Sequence, residues 1–318
     1  MDAQLLETSL HAMPRLRSIY VYFRCNEVHG LRWQTLASIL TTPTLENFNL
    51  QWFNFSPRPR LATEVDTRPL APLKSFQYIQ AAFRRVQHYF PPERDALADV
   101  LGRIHNTLEV LQLPSLPAPL DMLSMKPWPR LRELVLHGQL PEGLRTPFIT
   151  LLSGMSKLRV LHLKFALPLD VEPQAVWPPG MDTSFPWPEL EELVVSFPVS
   201  EDRVYASLPS SLRLLSLRCC PHHCVHKWVG RPMWHSPVLS ASEMLRVLSR
   251  CQLPHLGHLQ FEYRADDADR SLLRHLSAAF PELLTLEVHR FRPAGVEEIP
   301  MVRRRIGRPA LLLTQLSL

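Results

Sequence analysis

The stretch Leu131-Arg-Glu-Leu134-Val-Leu136 decides the fold. Leu134 and Leu136 are two positions apart, which places both on one face of a short β-strand. Leu131 enters the same core where the chain turns into the strand. The spacing recurs along the whole chain of 318 residues. The copies begin at Leu16, Leu45, Leu73, Leu108, Leu131, Leu158, Leu190, Leu212, Leu256, Leu283 and Leu313.

The copies follow one another about every 30 residues, a period typical of repeat architectures. One unit buries too little apolar surface to stand alone, so neighbouring units must stack into a parallel sheet with a continuous core. The residue after the first Leu is polar in many copies, as at Arg17, Glu46 and Lys74. We therefore predict one domain over residues 1–318, with about 11 repeats and a long insertion at 218–255.

The pattern resembles the leucine-rich repeat, and the resemblance covers nearly the whole chain. It implies an α/β fold: an irregular solenoid, or horseshoe, with a concave parallel sheet and variable outer helices and loops. The family pattern continues with Asn or Cys three residues after the third Leu, and only Cys220 fits here. In four other copies that position holds Gln139, Ala166, Pro198 and Arg264.

The amino-acid sequences of several copies resemble the repeat region of fungal F-box proteins. Examples are Met13-Pro-Arg-Leu-Arg and Trp128-Pro-Arg-Leu-Arg-Glu-Leu. The resemblance implies recognition of a protein target for a cullin ubiquitin ligase, in which an F-box docks on a Skp-type adaptor. We find no F-box, because the first copy already begins at Leu16. Target binding by the repeats is therefore the expectation, while docking of this chain on the adaptor and cullin is in doubt.

Composition and charge indicate which partners and which cellular location to expect. The net charge of +5 and pI near 9.1 are mildly basic and are not by themselves typical of nucleic-acid binding. Five cysteines without regular spacing favour reduced thiols and a cytoplasmic or nuclear location. The start Met1-Asp-Ala-Gln lacks the basic and apolar regions of a signal peptide, and no apolar run is long enough to span a membrane.

In the segments between the copies, apolar residues at helical spacing predict outer helices, and prolines predict loops. The predicted helices are residues 3–12, 31–40, 93–104, 146–155, 242–250 and 270–279. Residues 54–72 and 114–129 are predicted to be irregular because of their prolines. Residues 218–240 form the longest segment without periodicity, and a final strand is predicted to end at Leu318.

The predicted binding surface is the concave face of the sheet, formed by the strand positions that alternate with the core. It presents Tyr20, Tyr22, Asn49, Gln51, Gln77, Gln112, His137, His162, Lys164, Arg218, Gln260, Glu262 and His289. Such a surface fits a protein partner. The chain lacks the G-x-S-x-G, Walker, G-x-G-x-x-G and H-E-x-x-H motifs, so we predict a binding protein rather than an enzyme.

One cluster has the residue types of a zinc site. It consists of Cys220, His222, Cys224 and His226. No second pair of ligands stands at a spacing that would complete a four-ligand site, so a polar loop is the preferred interpretation. No cofactor is predicted.

A basic run near the C-terminus allows a further interpretation. Arg303, Arg304, Arg305 and Arg308 are typical of a nuclear localisation signal or a phosphate-contacting patch, and also of a solvated loop. Nucleic-acid binding through this run is the weaker alternative. The stronger alternative to ubiquitin-ligase target recognition is a free-standing scaffold or inhibitor protein.

Overall fold

The computed structural model describes residues 3–22, 30–59, 68–80, 91–141, 143–168, 171–219, 234–235 and 237–293. These residues form an α/β fold with a ten-strand parallel sheet. The elements are α1 (Ala3–His11), β1 (Ser18–Tyr22), β2 (Gly30–Leu31), α2 (Trp33–Leu40), β3 (Asn47–Gln51), β4 (Asn54–Phe55), β5 (Ser75–Ile79), α3 (Pro91–Ile104), β6 (Val110–Pro114), α4 (Leu120–Met125), β7 (Glu133–Gln139), α5 (Phe148–Leu151), β8 (Val160–Pro168), β9 (Glu192–Val195), β10 (Leu214–Leu217), β11 (Trp234–His235), α6 (Ala241–Ser249), β12 (His258–Arg264), α7 (Asp269–Ala279) and β13 (Thr285–Phe291).

The strand order in the main sheet follows the chain. It runs β1-β3-β5-β6-β7-β8-β9-β10-β12-β13, and every neighbouring pair is parallel. The short β11 pairs antiparallel with the end of β8, and β2 pairs with β4 in a separate small sheet. In the part of the chain that the structure describes, the main sheet is open, with β1 and β13 at its two ends. Among the described residues, each strand of the main sheet therefore pairs with the strands of the adjacent copies, and β8 also pairs with β11.

The predicted core positions form the interior of the molecule. The first Leu of the inner copies is fully buried, as at Leu73, Leu131 and Leu212. The second and third apolar residues lie in register with those of the next copy, as Leu134 and Leu136 do with Leu161 and Leu163. All belong to one continuous hydrophobic cluster that also includes buried faces of the helices. Removal of this apolar surface from water is the main stabilising contribution.

The residue after the first Leu links each unit to the next. Its carbonyl accepts two backbone N–H groups from the following copy, as Arg17 does from Glu46 at 2.8 Å and Asn47 at 2.9 Å. We call these residues the rim. The same double hydrogen bond continues across the sheet. The accepting carbonyls belong to Arg17, Glu46, Lys74, Glu109, Arg132, Arg159, Glu191, Arg213 and Gly257.

The charge of the rim residue alternates in sign from strand to strand across the first five strands of the main sheet. Glu46 lies between two cations, with its carboxylate oxygens 3.5 Å from Arg17 Nη1 and 2.8 Å from Lys74 Nζ. The hydrogen bond from Lys74 lowers the pKa of Glu46. Opposite charges on neighbouring strands attract, so these pairs favour the stacking of neighbouring units. The alternation ends at Arg132 and Arg159, because these consecutive rim residues have the same charge. Arg159 forms an ion pair with Glu191 on its other side, at 3.5 Å.

The periodic segments fold into helices at the predicted places. Helices α1, α2, α3, α6 and α7 agree with the predictions to within about two residues at most ends. The amphipathic α3 buries Leu97, Val100, Leu101 and Ile104, as their spacing predicts. Helix α5 is shorter than the predicted 146–155, because only Phe148–Leu151 is helical.

The prediction of irregular structure was wrong for part of each of two proline-rich segments. Within 54–72, the pair Asn54–Phe55 forms β4, and Phe55 is fully buried. Within 114–129, helix α4 begins immediately after Pro119 and buries Leu120 and Leu123. Proline is tolerated at the start of a helix because the first N–H groups need no helical partner. Proline here marks where the helix begins.

The two ends of the sheet are less buried than its centre. Leu286 and Val288 on β13 are half-buried, whereas Leu161 on β8 is fully buried. On β1, Ile19 and Val21 are half-buried too. Among the described residues, an end strand has a neighbour on one side only, so its core side chains have less cover there. The predicted last copy, which begins at Leu313, lies outside the described residues.

Candidate functional site

The face of the sheet opposite the core, which we call the open face, is formed by three rows of side chains. Backbone pairing aligns the row predicted between the second and third core residues. It consists of Tyr20, Asn49, Gln77, Gln112, Val135, His162, Val194, Ser216, Gln260 and Glu287. Backbone pairing aligns residues of the predicted second row in the same way, as in Tyr22 with Gln51 and His137 with Lys164.

A third row precedes the second core residue and was not among the predicted site residues. It consists of Ser18, Asn47, Ser75, Val110, Glu133, Val160, Glu192, Leu214, His258 and Thr285. The two-residue period of a strand assigns these positions to the open face. The signal was therefore present in the sequence, two residues before the first predicted row.

The open face divides by charge. The twelve row positions on β1, β3, β5 and β6 carry no charged side chain, and we call them the neutral half. They are Ser18, Tyr20, Tyr22, Asn47, Asn49, Gln51, Ser75, Gln77, Ile79, Val110, Gln112 and Pro114. The strands from β7 to β13 form the charged half. Its charged side chains include Glu133, Lys164, Glu192, Arg218, Glu262 and Glu287.

Large aromatic side chains of the neutral half are open to solvent. Tyr20 is 68% exposed and Tyr22 is 59% exposed. Trp52 follows the row residue Gln51 and is 42% exposed. Its backbone has φ of 67°, a left-handed conformation that bulky residues seldom adopt, and its N–H donates to the Ile79 carbonyl at 3.0 Å. An exposed indole therefore follows the end of β3 in an unusual backbone conformation.

Amide side chains connect the strands of the neutral half. Asn49 Nδ2 donates to Gln77 Oε1 at 2.7 Å, and Asn47 Nδ2 donates to Ser18 Oγ at 3.0 Å. Asn49 is only 7% exposed, and its Oδ1 atom is buried without a hydrogen-bond partner in the described residues. Buried acceptors are normally paired, so this oxygen stands out.

Two histidines and a lysine lie together on β7 and β8 in the charged half. His137 is the backbone neighbour of Lys164, and His162 precedes Lys164 by two residues on the same strand. Burial, followed by the charge of Lys164, lowers the pKa of each histidine to about 4. Both imidazoles are therefore neutral at pH 7. His162 Nε2 lies 3.5 Å from a carboxylate oxygen of Glu192.

A second polar cluster covers β10, β12 and β13. Arg218 Nη1 donates to Glu287 Oε1 across the intervening strand β12, and Glu287 Oε1 lies 3.2 Å from His289 Nε2. Glu262 is the backbone neighbour of His289 and is only 4% exposed. Burial raises the pKa of Glu262 to about 7, despite a 2.9 Å hydrogen bond from the Cys219 N–H and the nearby charge of Arg218.

The structure places the thirteen predicted binding residues on the open face but gives them different access. Tyr20 and Tyr22 are exposed. Asn49, Glu262 and His289 are almost entirely buried. The remainder are half-buried, namely Gln51, Gln77, Gln112, His137, His162, Lys164, Arg218 and Gln260. Sequence alternation identifies the face, but exposure depends on which side chains stand on the neighbouring strands.

The other candidate sites lie outside the described residues. These are the Cys220, His222, Cys224 and His226 cluster and the basic run of Arg303, Arg304, Arg305 and Arg308. Among the residues that the structure describes, no group of three or more His, Cys, Asp or Glu side chains is arranged to hold a metal ion. Within the same residues, every helix is too short or too polar to cross a membrane.

No protein-family model matches the chain, and no curated protein matches it significantly in sequence.

Proposed function

We propose that the protein is a leucine-rich-repeat solenoid that binds a protein partner through its open face. The observation that carries this proposal is the alignment of three rows of side chains across ten parallel strands, with large tyrosines exposed at one end. Aromatic side chains with polar atoms are enriched at protein interfaces, where they bury much area and still form hydrogen bonds.

The order of the strands supports the repeat architecture. Within the described residues, ten copies of the sequence pattern each supply one strand to the sheet, and each of these strands pairs with those of adjacent copies. The rim carbonyls, such as that of Lys74 between Glu109 and Val110, repeat the same double hydrogen bond between units. Stacked units of this kind offer an extended surface that suits a macromolecular partner.

We further propose that the bound partner is the target of a ubiquitin ligase, in the manner of the repeat half of fungal F-box receptors. This finer assignment rests on the resemblance of segments such as Trp128-Pro-Arg-Leu-Arg-Glu-Leu. It places the protein in the cytoplasm or nucleus and assigns it binding rather than catalysis. A Skp-type adaptor and a cullin are then partners of the assembly, and a scaffold or inhibitor role is the outcome if they are missing.

The test is affinity capture of the tagged chain from its native cells, read by mass spectrometry. Three variants accompany the wild type: Tyr20→Ala/Tyr22→Ala in the neutral half, Lys164→Ala/Gln260→Ala in the charged half, and Met125→Ala. Met125 is 75% exposed on α4, away from the rows, and serves as the matched control.

We expect a stoichiometric protein that is lost with at least one open-face variant and retained by Met125→Ala. Copurification of a Skp-type adaptor and cullin supports the ligase assignment. Capture of one dominant protein without them contradicts that assignment and leaves a scaffold or inhibitor. A partner retained by both open-face variants contradicts binding through this surface.

A further inference from the structure

Two neighbouring segments at the edge where the strands begin carry only positive charge. They are residues 126–132, which lead into β7, and residues 154–159, which lead into β8. Neither segment contains a carboxylate side chain, and the cationic side chains of both are exposed. We call these cations the basic patch. They are Lys126, Arg130, Arg132, Lys157 and Arg159.

Backbone contacts hold the two segments side by side. The Trp128 N–H donates to the Gly154 carbonyl at 3.0 Å, and the Arg132 carbonyl accepts the Arg159 N–H at 2.8 Å. Trp128 is fully buried, and its indole N–H donates to a backbone carbonyl of α4 at 3.0 Å. A Cβ atom at Gly154 would stand only 3.0 Å from the Lys126 carbonyl oxygen, so glycine allows the close approach. The cations therefore project from a backbone that is fixed at several points.

Two members of the basic patch already have counter-charges. Lys157 Nζ lies 2.7 Å from a carboxylate oxygen of Glu189. Arg159 pairs with Glu189 at 3.4 Å and with Glu191 at 3.5 Å. These carboxylates belong to the next unit of the solenoid, so they bound the basic patch on the side of β9.

The other three members of the basic patch form no ion pair with any residue that the structure describes. They are Lys126, Arg130 and Arg132. Arg132 also neighbours Arg159 in the rim, and like charges on neighbouring strands repel. Glu133, the residue after Arg132, belongs to the open face, where burial and the charge of Glu192 raise its pKa. The basic patch therefore keeps positive charge without a counter-charge, which favours an anionic partner.

Acidic rim residues on both sides limit the width of the basic patch. Glu109 stands one rim position before Arg132, and Glu191 stands one after Arg159. Neighbouring strands lie about 4.8 Å apart, so the two acids are about 14 Å from each other across the sheet. Along the chain, the distance from Lys126 to Arg132 is at most about 22 Å. A short acidic segment of a protein fits these dimensions, whereas a nucleic acid or a membrane is a longer polyanion and would also meet the two acids.

We propose that the basic patch binds a short acidic segment of a protein partner, whose carboxylates pair with Lys126, Arg130 and Arg132. A planar guanidinium group holds a carboxylate through two parallel hydrogen bonds, and such charge-assisted bonds are stronger than neutral ones. The basic patch lies at the edge where the strands begin, apart from the rows of the open face. This inference is therefore independent of the proposed function and adds a second binding surface.

The experiment uses a fluorescent peptide with a run of about six glutamates, which matches the length of the basic patch. A second peptide has glutamine at the same positions. Binding of each peptide to the full chain is measured by fluorescence polarisation. We expect the glutamate peptide to bind at least about tenfold more tightly and to lose affinity as sodium chloride is raised, because salt screens charge interactions. Equal affinities of the two peptides overturn the proposal.

The chain itself offers a matched control for the basic patch. The sequence Pro-Arg-Leu-Arg occurs at 129–132 and again at 14–17, in the first copy. There Arg17 already pairs with Glu46 at 3.5 Å. Loss of both arginines removes the same charge from the chain at either place, but only 129–132 belongs to the basic patch.

The two double variants locate the contact. Arg130→Gln/Arg132→Gln should weaken binding of the glutamate peptide by about tenfold or more, because two charge-assisted contacts are lost. Arg15→Gln/Arg17→Gln should weaken it by less than about twofold, the effect of a lower net charge alone. Equal losses in the two variants would show that no particular site is involved and would overturn the proposal.

A third variant tests the basic patch by a gain of affinity, which a folding defect does not produce. Glu189→Gln removes the counter-charge of Lys157 and one of the two counter-charges of Arg159. Binding of the glutamate peptide should tighten by about threefold or more, because these cations then become available to the peptide. An unchanged or weaker affinity contradicts the assigned surface and overturns the proposal.

Competition identifies the class of partner. The glutamate peptide should keep its place in the presence of a DNA duplex or of vesicles that contain phosphatidylserine, at equal concentrations of negative charge. Tighter binding of either competitor, with the same loss in Arg130→Gln/Arg132→Gln, overturns the acidic protein segment and assigns the basic patch to phosphate. None of these results alters the proposal for the open face, since none of these variants changes a residue of its rows.

Discussion

Tyr78 on β5 donates its hydroxyl hydrogen to the carboxylate of Glu93 in the first turn of α3. Both side chains are fully buried. Glu93 also accepts the backbone N–H of Phe55 at 3.2 Å, and Gln80 Nε2 donates to the Tyr78 hydroxyl at 2.7 Å. One acidic side chain therefore links a helix, the small strand β4 and the main sheet directly behind the neutral half.

The first prediction concerns this link. Tyr78→Phe keeps the ring but removes the donor, so the protein should lose about 1–3 kcal/mol of unfolding free energy, the cost of depriving a buried acceptor of its partner. Urea denaturation followed by circular dichroism measures the difference. Tyr20→Phe, which removes an exposed hydroxyl, should leave the midpoint unchanged. Equal midpoints for Tyr78→Phe and the wild type would contradict the assigned hydrogen bond.

The second prediction concerns Glu262 and pH. Burial raises its pKa from 4.5 to about 7, so between those values the folded protein retains a proton that the unfolded chain has lost. Unfolding free energy should therefore fall as pH rises from about 4.5 to about 7, by roughly 3 kcal/mol from this residue. Glu262→Gln should remove that part of the fall in denaturation curves. Glu172→Gln, at an exposed position, is the control, and identical profiles for Glu262→Gln and wild type would refute the assignment.

The third prediction concerns His137 and His162, whose effect on the pH dependence of the unfolding free energy is opposite to that of Glu262. Burial and Lys164 lower the pKa values of His137 and His162 to about 4, so between pH 4 and 6.5 the unfolded chain binds more protons. These residues should make the fold more stable as pH rises through that window. Nuclear magnetic resonance of the imidazole protons should show two midpoints near pH 4. In Lys164→Met both midpoints should rise, and midpoints near 6.5 in the wild type would show that the rings are solvated.

The fourth prediction concerns Asp202, which is only 1% exposed. Its carboxylate accepts the backbone N–H groups of Val176 at 2.6 Å, Trp177 at 3.0 Å and Val204 at 3.0 Å. Asp202→Ala leaves three buried donors unpaired and should cost about 3 kcal/mol or more. Tryptophan fluorescence should report the loosening of the segment around Trp177.

Glu201→Ala is the matched control for Asp202→Ala, because its side chain is exposed and one position away. It should change the unfolding free energy by no more than about 0.5 kcal/mol. Similar losses in the two variants would show that Asp202 has no special role in holding these segments together.

The order and register of the strands could be predicted from the sequence because the periodic apolar residues determine both. Leu134 and Leu161 occupy the same position in consecutive copies and are backbone neighbours in the sheet. Helices with regular apolar spacing, such as α3, were predictable for the same reason. The helix after Pro119 was missed because proline alone does not distinguish a loop from the first turn of a helix.

The rows of the open face could also be predicted, but their accessibility could not. Alternation assigns Asn49 and Tyr20 to the same row, yet Asn49 is 7% exposed and Tyr20 is 68% exposed. Asn49 lies between two neighbouring strands, whereas β1 has a described neighbour only on the side of β3. Such differences arise from the side chains that surround a residue in space, which a linear pattern does not specify.

Along the first five strands of the main sheet, positive and negative rim residues follow each other in strict alternation. Removing the unit that carries Glu46 would set Arg17 beside Lys74, so that like charges would face each other across the new boundary. Removing two consecutive units would restore opposite neighbours. In this part of the molecule, electrostatics therefore favours lengthening or shortening in steps of two units, whereas hydrophobic stacking would accept any number.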